Sequence, residues 1–265
     1  MSSPEVEWRR LRADQLRDMA QRDAVVILPL GAIEQHGPHL PVEVDSRLGE
    51  EVALRTARLM AARSQPVLVL PMFWPGISEH HMSFGGTITL GFATYRAVVE
   101  DICRSVIRAG FRRIALLNAH GGNENGLRVI TDELTPKLGV EIVQFTYWFA
   151  AAEAIAEILE TQTALLHACE AETAMMMAVR PELVAEDRIA MAKVNYTPDV
   201  SDLVGGGVYR WRSIGARSSS GVIGNPEAAS AAKGTRLFDA VATTLADKLG
   251  NAELWSLPWH ADNVI

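Results

Sequence analysis

Four short apolar runs set the rhythm of the chain: AVVILPLGA (24–32), PVLVLPMFW (66–74), RIALLNAHGG (113–122) and VEIVQFTYW (140–148). They are rich in β-branched residues and mostly do not alternate apolar with polar positions. That is the pattern of strands covered on both faces, as in a parallel sheet. Between them the period lengthens to that of amphipathic helices, over residues 46–62, 94–109, 124–138, 148–161 and 171–179. A last helix near 226–249 has a proline close to its first turn and stops at Gly250. Strands alternating with helices predict right-handed βαβ crossovers and an α/β fold of three layers around a mostly parallel central sheet. Residues from about 185 to 225 break this rhythm. They contain GGGVYRWRSIGARSSSGVIG, an irregular excursion of a length that is often functional in a compact domain. With no internal repeat or low-complexity tail, residues 1–265 are expected to form a single domain.

Composition narrows the classes of function. The chain has 265 residues, 48% hydrophobic and 22% charged, enough for a substantial core. A net charge of −7 and the absence of a basic block argue against nucleic acid as a partner. The two cysteines, Cys103 and Cys169, lie too far apart in sequence to suggest a disulfide framework or a Cys-type zinc module. The polar N-terminal stretch lacks the apolar core of a secretory signal, and no apolar run approaches the roughly 20 residues that span a bilayer. A cytoplasmic protein with no membrane partner is the expectation.

The chemistry-bearing residues gather where such a sheet binds ligands, outside the carboxyl ends of its strands. Glu34, His36, His39, Glu43 and Asp45 crowd GAIEQHGPHLPVEVD after the first strand. His80 and His81 follow the second, His120 follows the third in NAHGGNEN, and HACEAET (167–173) opens a helix. Imidazole and carboxylate donors suit zinc or manganese. Taken singly, each residue has an ordinary structural role. Asp45 would serve as a helix N-cap, Glu34 as a solvated loop carboxylate, and His36 and His120 as turn imidazoles. Their convergence is what points to a metal. Glu170 and Glu172, two apart on a helix, point about 200° away from each other, so only one can face the cleft well. Glu170, at the helix entrance, is the expected ligand; Glu172 is expected to orient a ligand or assist catalysis. His39 and Glu43 are either supports for ligand imidazoles or solvent-exposed loop residues. Ser218–Ser220, without a nucleophile elbow, read as loop residues.

LPLGAIEQHGPHLPVEVD, GISEHHMSFGGTITL, NAHGGN, HACEAETAMMM and SGVIGNP, in this order over about residues 24–226, resemble the creatininase family of metal-dependent hydrolases. The resemblance implies a creatininase-like fold, two divalent ions (zinc, manganese or both) bridged by an Asp and a water, and assembly as a homohexamer. Glu34, His36, Asp45 and His120 match family ligand positions. The name-giving enzyme has a Glu two residues after the matching His, where this chain has Gly122; Glu170 is the residue matched to that role. His167 matches a proton-shuttle position, and Trp148 and His81 are candidates for lining the substrate pocket. The expected reaction is hydrolysis of an amide or cyclic amide C–N bond of a small molecule by a metal-bridging hydroxide. The alternatives are C–C cleavage of a cyclic polyol-derived diketone, cleavage of a short peptide, and metals that only hold the fold together.

Overall fold

The computed structural model describes residues 4–192 and 208–256. Its centre is four parallel strands: β1 (Val25–Leu30), β2 (Val67–Val69), β3 (Arg113–Asn118) and β4 (Glu141–Thr146), in the order β2–β1–β3–β4. Val25 pairs with Val67 on one side and Arg113 on the other, and Leu30 ends β1 opposite Asn118 of β3. All six β1 residues are buried, as its unalternating sequence requires. Pro29 sits in this inner strand, a position that normally needs an N–H. It is tolerated because β2 pairs only as far as Ile27, and the Pro29 carbonyl on that side accepts the Phe73 N–H at 2.9 Å.

The helices are α1 (Ala13–Gln21), α2 (Val44–Ala62), α3 (Phe92–Arg108), α4 (Glu124–Leu138), α5 (Tyr147–Ala150), α6 (Ala152–Ala156), α7 (Glu170–Val179) and α8 (Ala231–Leu249). Each strand sends alternate side chains to opposite faces. Val25 and Ile27 of β1 and Ala115 and Leu117 of β3 join a core with α2, α7 and α8. Val26, Leu28, Ile114 and Leu116 join a second core with α3 and α4, against which α1 packs. Two cores on the two faces of one sheet make the three layers expected from the sequence. Cys103 and Cys169 are both free and buried, one in each core. No described helix is long and apolar enough to cross a membrane.

Several boundaries differ from the sequence reading. The helix expected over 148–161 is broken at Ala151 into α5 and α6. The last helix begins at Ala231, with the Ser230 hydroxyl capping the Lys233 N–H at 3.3 Å, so Pro226 lies outside it. Asp45 is in the first turn of α2, not at its cap, which is Glu43. In the excursion from about 185 to 225, the described residues form two 3-10 turns, Glu186–Met191 and Ile214–Ala216, and a single bridge from Ile223 to His167.

Candidate metal centre and cavity

Two asparagines of NAHGGN lock the strand ends together. Asn118 accepts the His120 N–H and donates to the His120 carbonyl and to Thr146 Oγ1 at the end of β4. Asn123 donates to the Gly31 carbonyl beyond β1 and accepts the Ile77 N–H. The loops after β1, β2 and β3 are thereby held at one edge of the sheet. Gly122 lies in this seam. A Cβ there would stand 2.1 Å from the Ile77 carbonyl oxygen and 2.4 Å from His120 Nε2, so no side chain fits.

The imidazoles at this edge have assignable tautomers. His36 Nδ1–H donates to the Glu34 carbonyl at 3.1 Å, which turns the Nε2 lone pair toward Asp45 Oδ1, 3.1 Å away. His120 Nε2–H donates to the Ile77 carbonyl at 3.1 Å, leaving Nδ1 facing Asp45 Oδ2 at 2.9 Å and Glu34 Oε2 at 3.3 Å. The two oxygens of Asp45 therefore face two different donor groups: Glu34 with His120, and His36 with Glu172. All five residues are buried. Glu34 Oε2, Asp45 Oδ2 and His36 Nε2 have no hydrogen-bond partner among the described residues.

Three buried carboxylates in one place repel each other unless positive charge joins them. Burial, together with the Asp45 charge, raises the Glu34 carboxyl above its usual range. Burial and the same neighbouring charges push Glu172 up to about 8. Burial also opposes protonation of His36, yet the carboxylates of Asp45, Glu172 and Glu34 outweigh it and hold this imidazole up at about 9. Carboxylate oxygens and imidazole nitrogens converging on common points, with no lysine or arginine among the donor groups, are the chemistry of a divalent-metal site that displaces the imidazole protons, and these residues fit one.

The structure does not bring Glu170 to this cluster, contrary to the sequence expectation. Its carboxylate turns the other way and pairs with Lys233 of α8, while accepting the N–H groups of Glu160 and Thr161 and the Thr161 hydroxyl. Glu172, expected to orient a ligand or assist catalysis, takes the cluster-facing direction instead. Its Oε2 accepts the N–H of Ala168, a residue held at φ 52°, and its Oε1 lies 3.9 Å from His36 Nε2. His39 is not exposed: it is buried behind the site, with Nε2 bonded to Thr173 Oγ1 at 2.8 Å. Glu43 lies outside the cluster and pairs with Arg180 at 3.5 Å. Ser218 is buried 3.3 Å from Ser220, away from the donor groups.

A cavity of about 400 Å³ opens over the cluster. His81, Trp148 and His167 all line it. The residue that sequence reasoning passed over is Gln35, inside the quoted EQHG. Its side-chain amide nitrogen donates to His81 Nδ1 at 2.8 Å and to the Gly221 carbonyl at 3.2 Å, and its backbone carbonyl accepts His167 Nε2–H at 2.9 Å. His81 thus points Nε2–H at Glu34 Oε1, 3.2 Å away, and His167 turns Nδ1 toward the site. Its place between two metal-capable residues in the EQHG motif was the available signal.

The site's donor pattern can be set beside known proteins. A family model described as creatinine amidohydrolase matches residues 9–249. The mycofactocin precursor peptide peptidase of Mycobacterium ulcerans is 32% identical over 217 residues, 80% of this chain and 79% of that protein. The creatinine amidohydrolase of Pseudomonas putida is 33% identical over 202 residues, 70% of this chain and 74% of that protein. The crystal structure of a creatinine amidohydrolase-like protein from Bacteroides fragilis superposes with a TM-score of 0.83 at 26% identity, covering 98% of this chain and 100% of that one.

Proposed function

The chain belongs to the creatininase family of metal-dependent hydrolases, and on that premise we propose that it cleaves an amide C–N bond of a small molecule at a pair of divalent cations shared by Asp45. Glu34, Asp45 and His120 would hold one cation, and His36, Asp45 and Glu172 would hold the other. The observation that carries this reading is the division of the two Asp45 oxygens between two donor groups. A site that only held the fold together would need one closed set of ligands and no cavity above it. Zinc and manganese both suit these nitrogen and oxygen donors.

When bound, such cations lower the pKa of a shared water toward neutrality and polarise the substrate carbonyl. The chain's own groups do the rest. Gln35 fixes His167 with its proton on Nε2, so Nδ1 is free to take a proton on the cavity side and return it to the departing nitrogen. His81, fixed by the Gln35 side-chain amide, donates from Nε2 to Glu34 and holds that carboxylate in place. Trp148 offers an apolar surface to the substrate and keeps bulk water from the floor of the cavity. Metal-stripped protein is expected to lose amide hydrolysis and regain it with Zn²⁺ or Mn²⁺. Full activity without metal overturns the proposal, and cleavage of a cyclic diketone with no amide turnover replaces C–N by C–C hydrolysis.

A further inference from the structure

Two glycines follow His120, and they stand there for different reasons. Gly122 has no room for a side chain. Gly121 has the opposite surroundings. It is exposed, it lines the cavity, and a Cβ at this position would meet nothing within 4 Å among the described residues. Its backbone does not call for glycine either, since it opens the 3-10 turn Gly121–Asn123 without the positive φ seen at Gly37 or Gly139. A glycine in such a conformation costs backbone entropy that an alanine would spare. Neither packing nor conformation accounts for it, which leaves the cavity onto which it opens.

That cavity has an apolar wall. Gly121 and Trp148 follow neighbouring strands, whose last residues Asn118 and Thr146 pair in register. Trp148 is held between Tyr147 and Phe149, with ring centroids 5.0 and 5.6 Å away. Leu165 and Ile223 are buried, and Ile223 is bridged to His167 by two backbone hydrogen bonds of 2.9 and 3.0 Å. This part of the wall is in place before a substrate arrives, which lowers the entropic cost of using it. Phe149 and Leu166 line the same cavity but are 61% and 39% exposed. Large apolar side chains left to water around a preformed cavity gain most from a ligand that covers them. Arg217 also lines the cavity, carried there by the 3-10 turn Ile214–Ala216, but it is already engaged within the protein.

We propose that the substrate is an amide bearing a bulky apolar group, aromatic or branched aliphatic, and that Gly121 is the size-determining residue that leaves room for it. The group lies on Trp148 and covers Phe149 and Leu166. A minimal amide would fill only a small part of about 400 Å³ and leave this wall wet. Any side chain at position 121 would project into the open space and shorten the substrate that the cavity accepts. The inference rests on the hydrolase reading above for where the amide sits. The apolar site and its dependence on Gly121 rest on the cavity alone.

The test uses the full chain loaded with zinc and three neutral probes. These are N-methylacetamide, N-methyl-2-naphthylacetamide and N-(2-naphthylmethyl)acetamide, the last two placing a naphthalene on the acyl or the amine side. Binding is measured by calorimetry. Hydrolysis is measured by release of the amine, as water adds to the carbonyl and the C–N bond breaks to leave acid and amine. The better naphthalene probe is expected to bind at least about 10-fold more tightly than N-methylacetamide, a ratio that burial of about 55 Å² of apolar surface supplies. The tighter of the two assigns the apolar group to the acyl or the amine part. Gly121→Leu should bring the ratio close to one with unchanged metal content. Gly121→Ala should give an intermediate ratio and melt no lower than wild type, and it carries the test if Gly121→Leu melts early. A naphthalene preference that survives in folded Gly121→Leu overturns the proposal. So does equal binding of all three probes by wild type, or no binding of any. Turnover of N-methylacetamide with no binding of the naphthalene probes overturns it too and leaves the hydrolase reading standing. Naphthalene probes that bind in a Gly121-dependent way but are not cleaved count against amide hydrolysis and leave the apolar site standing.

Discussion

Glu170 and Glu172 leave the same helix two residues apart and meet opposite fates. Glu170 finds a cation belonging to the chain, Lys233, and three further hydrogen-bond donors from Glu160 and Thr161. Glu172 finds His36 and the carboxylates of Asp45 and Glu34, with the Ala168 N–H its one fixed donor among the described residues. Both are buried. The difference lies in who supplies the compensating charge. A buried carboxylate balanced by the chain itself is a structural element, complete when folding ends. One surrounded by other carboxylates is complete only when something from outside binds, and that is where function resides.

Asp45→Asn should give the largest effect on the functional side of this comparison. In the proposed two-cation site this replaces one of the two ligand oxygens by an amide and should remove several kcal/mol of charge stabilisation, about 10³-fold in rate, with metal analysis showing weakened binding. Undiminished metal content in this variant would break the comparison outright. On the structural side, Glu170→Gln should leave metal content intact and cost about 2 kcal/mol of unfolding free energy, because the buried Lys233 ammonium then keeps only the Ala228 carbonyl and the exposed Glu160 carboxylate among its described partners. Denaturant melts of the metal-free protein measure it.

The pH dependence of that cost follows from its two partners. Hydrogen bonds from Lys233, Thr161 and the backbone hold the Glu170 carboxyl below its ordinary 4.5 despite burial, so its contribution is present above 4.5 and lost as pH falls through the lowered value. Burial notwithstanding, Glu170 and Glu160 raise Lys233 above 10.5, so its contribution is present below 10.5 and lost as pH rises through the raised value. The stability gap between wild type and Glu170→Gln should be flat between these limits and close at both ends. A gap that varies between pH 6 and 9 would place the charge balance elsewhere.

Glu172→Gln should weaken metal affinity by about 100-fold while leaving the metal-free protein about as stable as wild type at neutral pH, since a carboxyl pushed up to about 8 is already mostly uncharged there and the amide keeps its shape. Competition with a chromogenic chelator reads the first effect and thermal melting the second. The smallest effect belongs to the layer behind the site. Thr173→Val strands buried His39 and should cost about 1–2 kcal/mol of stability, with metal content and activity unchanged.

How far each residue could be read in advance depended on how local its determinants are. The 200° separation of Glu170 and Glu172 follows from helix geometry, so it was plain in the sequence that only one would face the cleft. Which one could not be read there, because the deciding partner is Lys233, 63 positions downstream. A signal did exist. Lys233 falls on the apolar stripe of α8 with Leu237, Phe238 and Val241, and a lysine in such a stripe calls for a buried anion. Gln35 was within view in EQHG but carried no charge to draw attention. Arg217 had no signal at all, as nothing in RSIGARSSS says which way an irregular turn faces.

Sequence alone determined the alternation of strand and helix, the two-faced burial of the sheet, and the kinds of donor atom placed after its strands, because period and residue chemistry act over a few neighbours. Only the tertiary structure decided which Asp45 oxygen meets which imidazole, which glutamate turns inward and where Arg217 ends. Those are directions in space, fixed by how α7 packs on α8 and by where the 3-10 turn at Ile214 docks, and no local pattern encodes them.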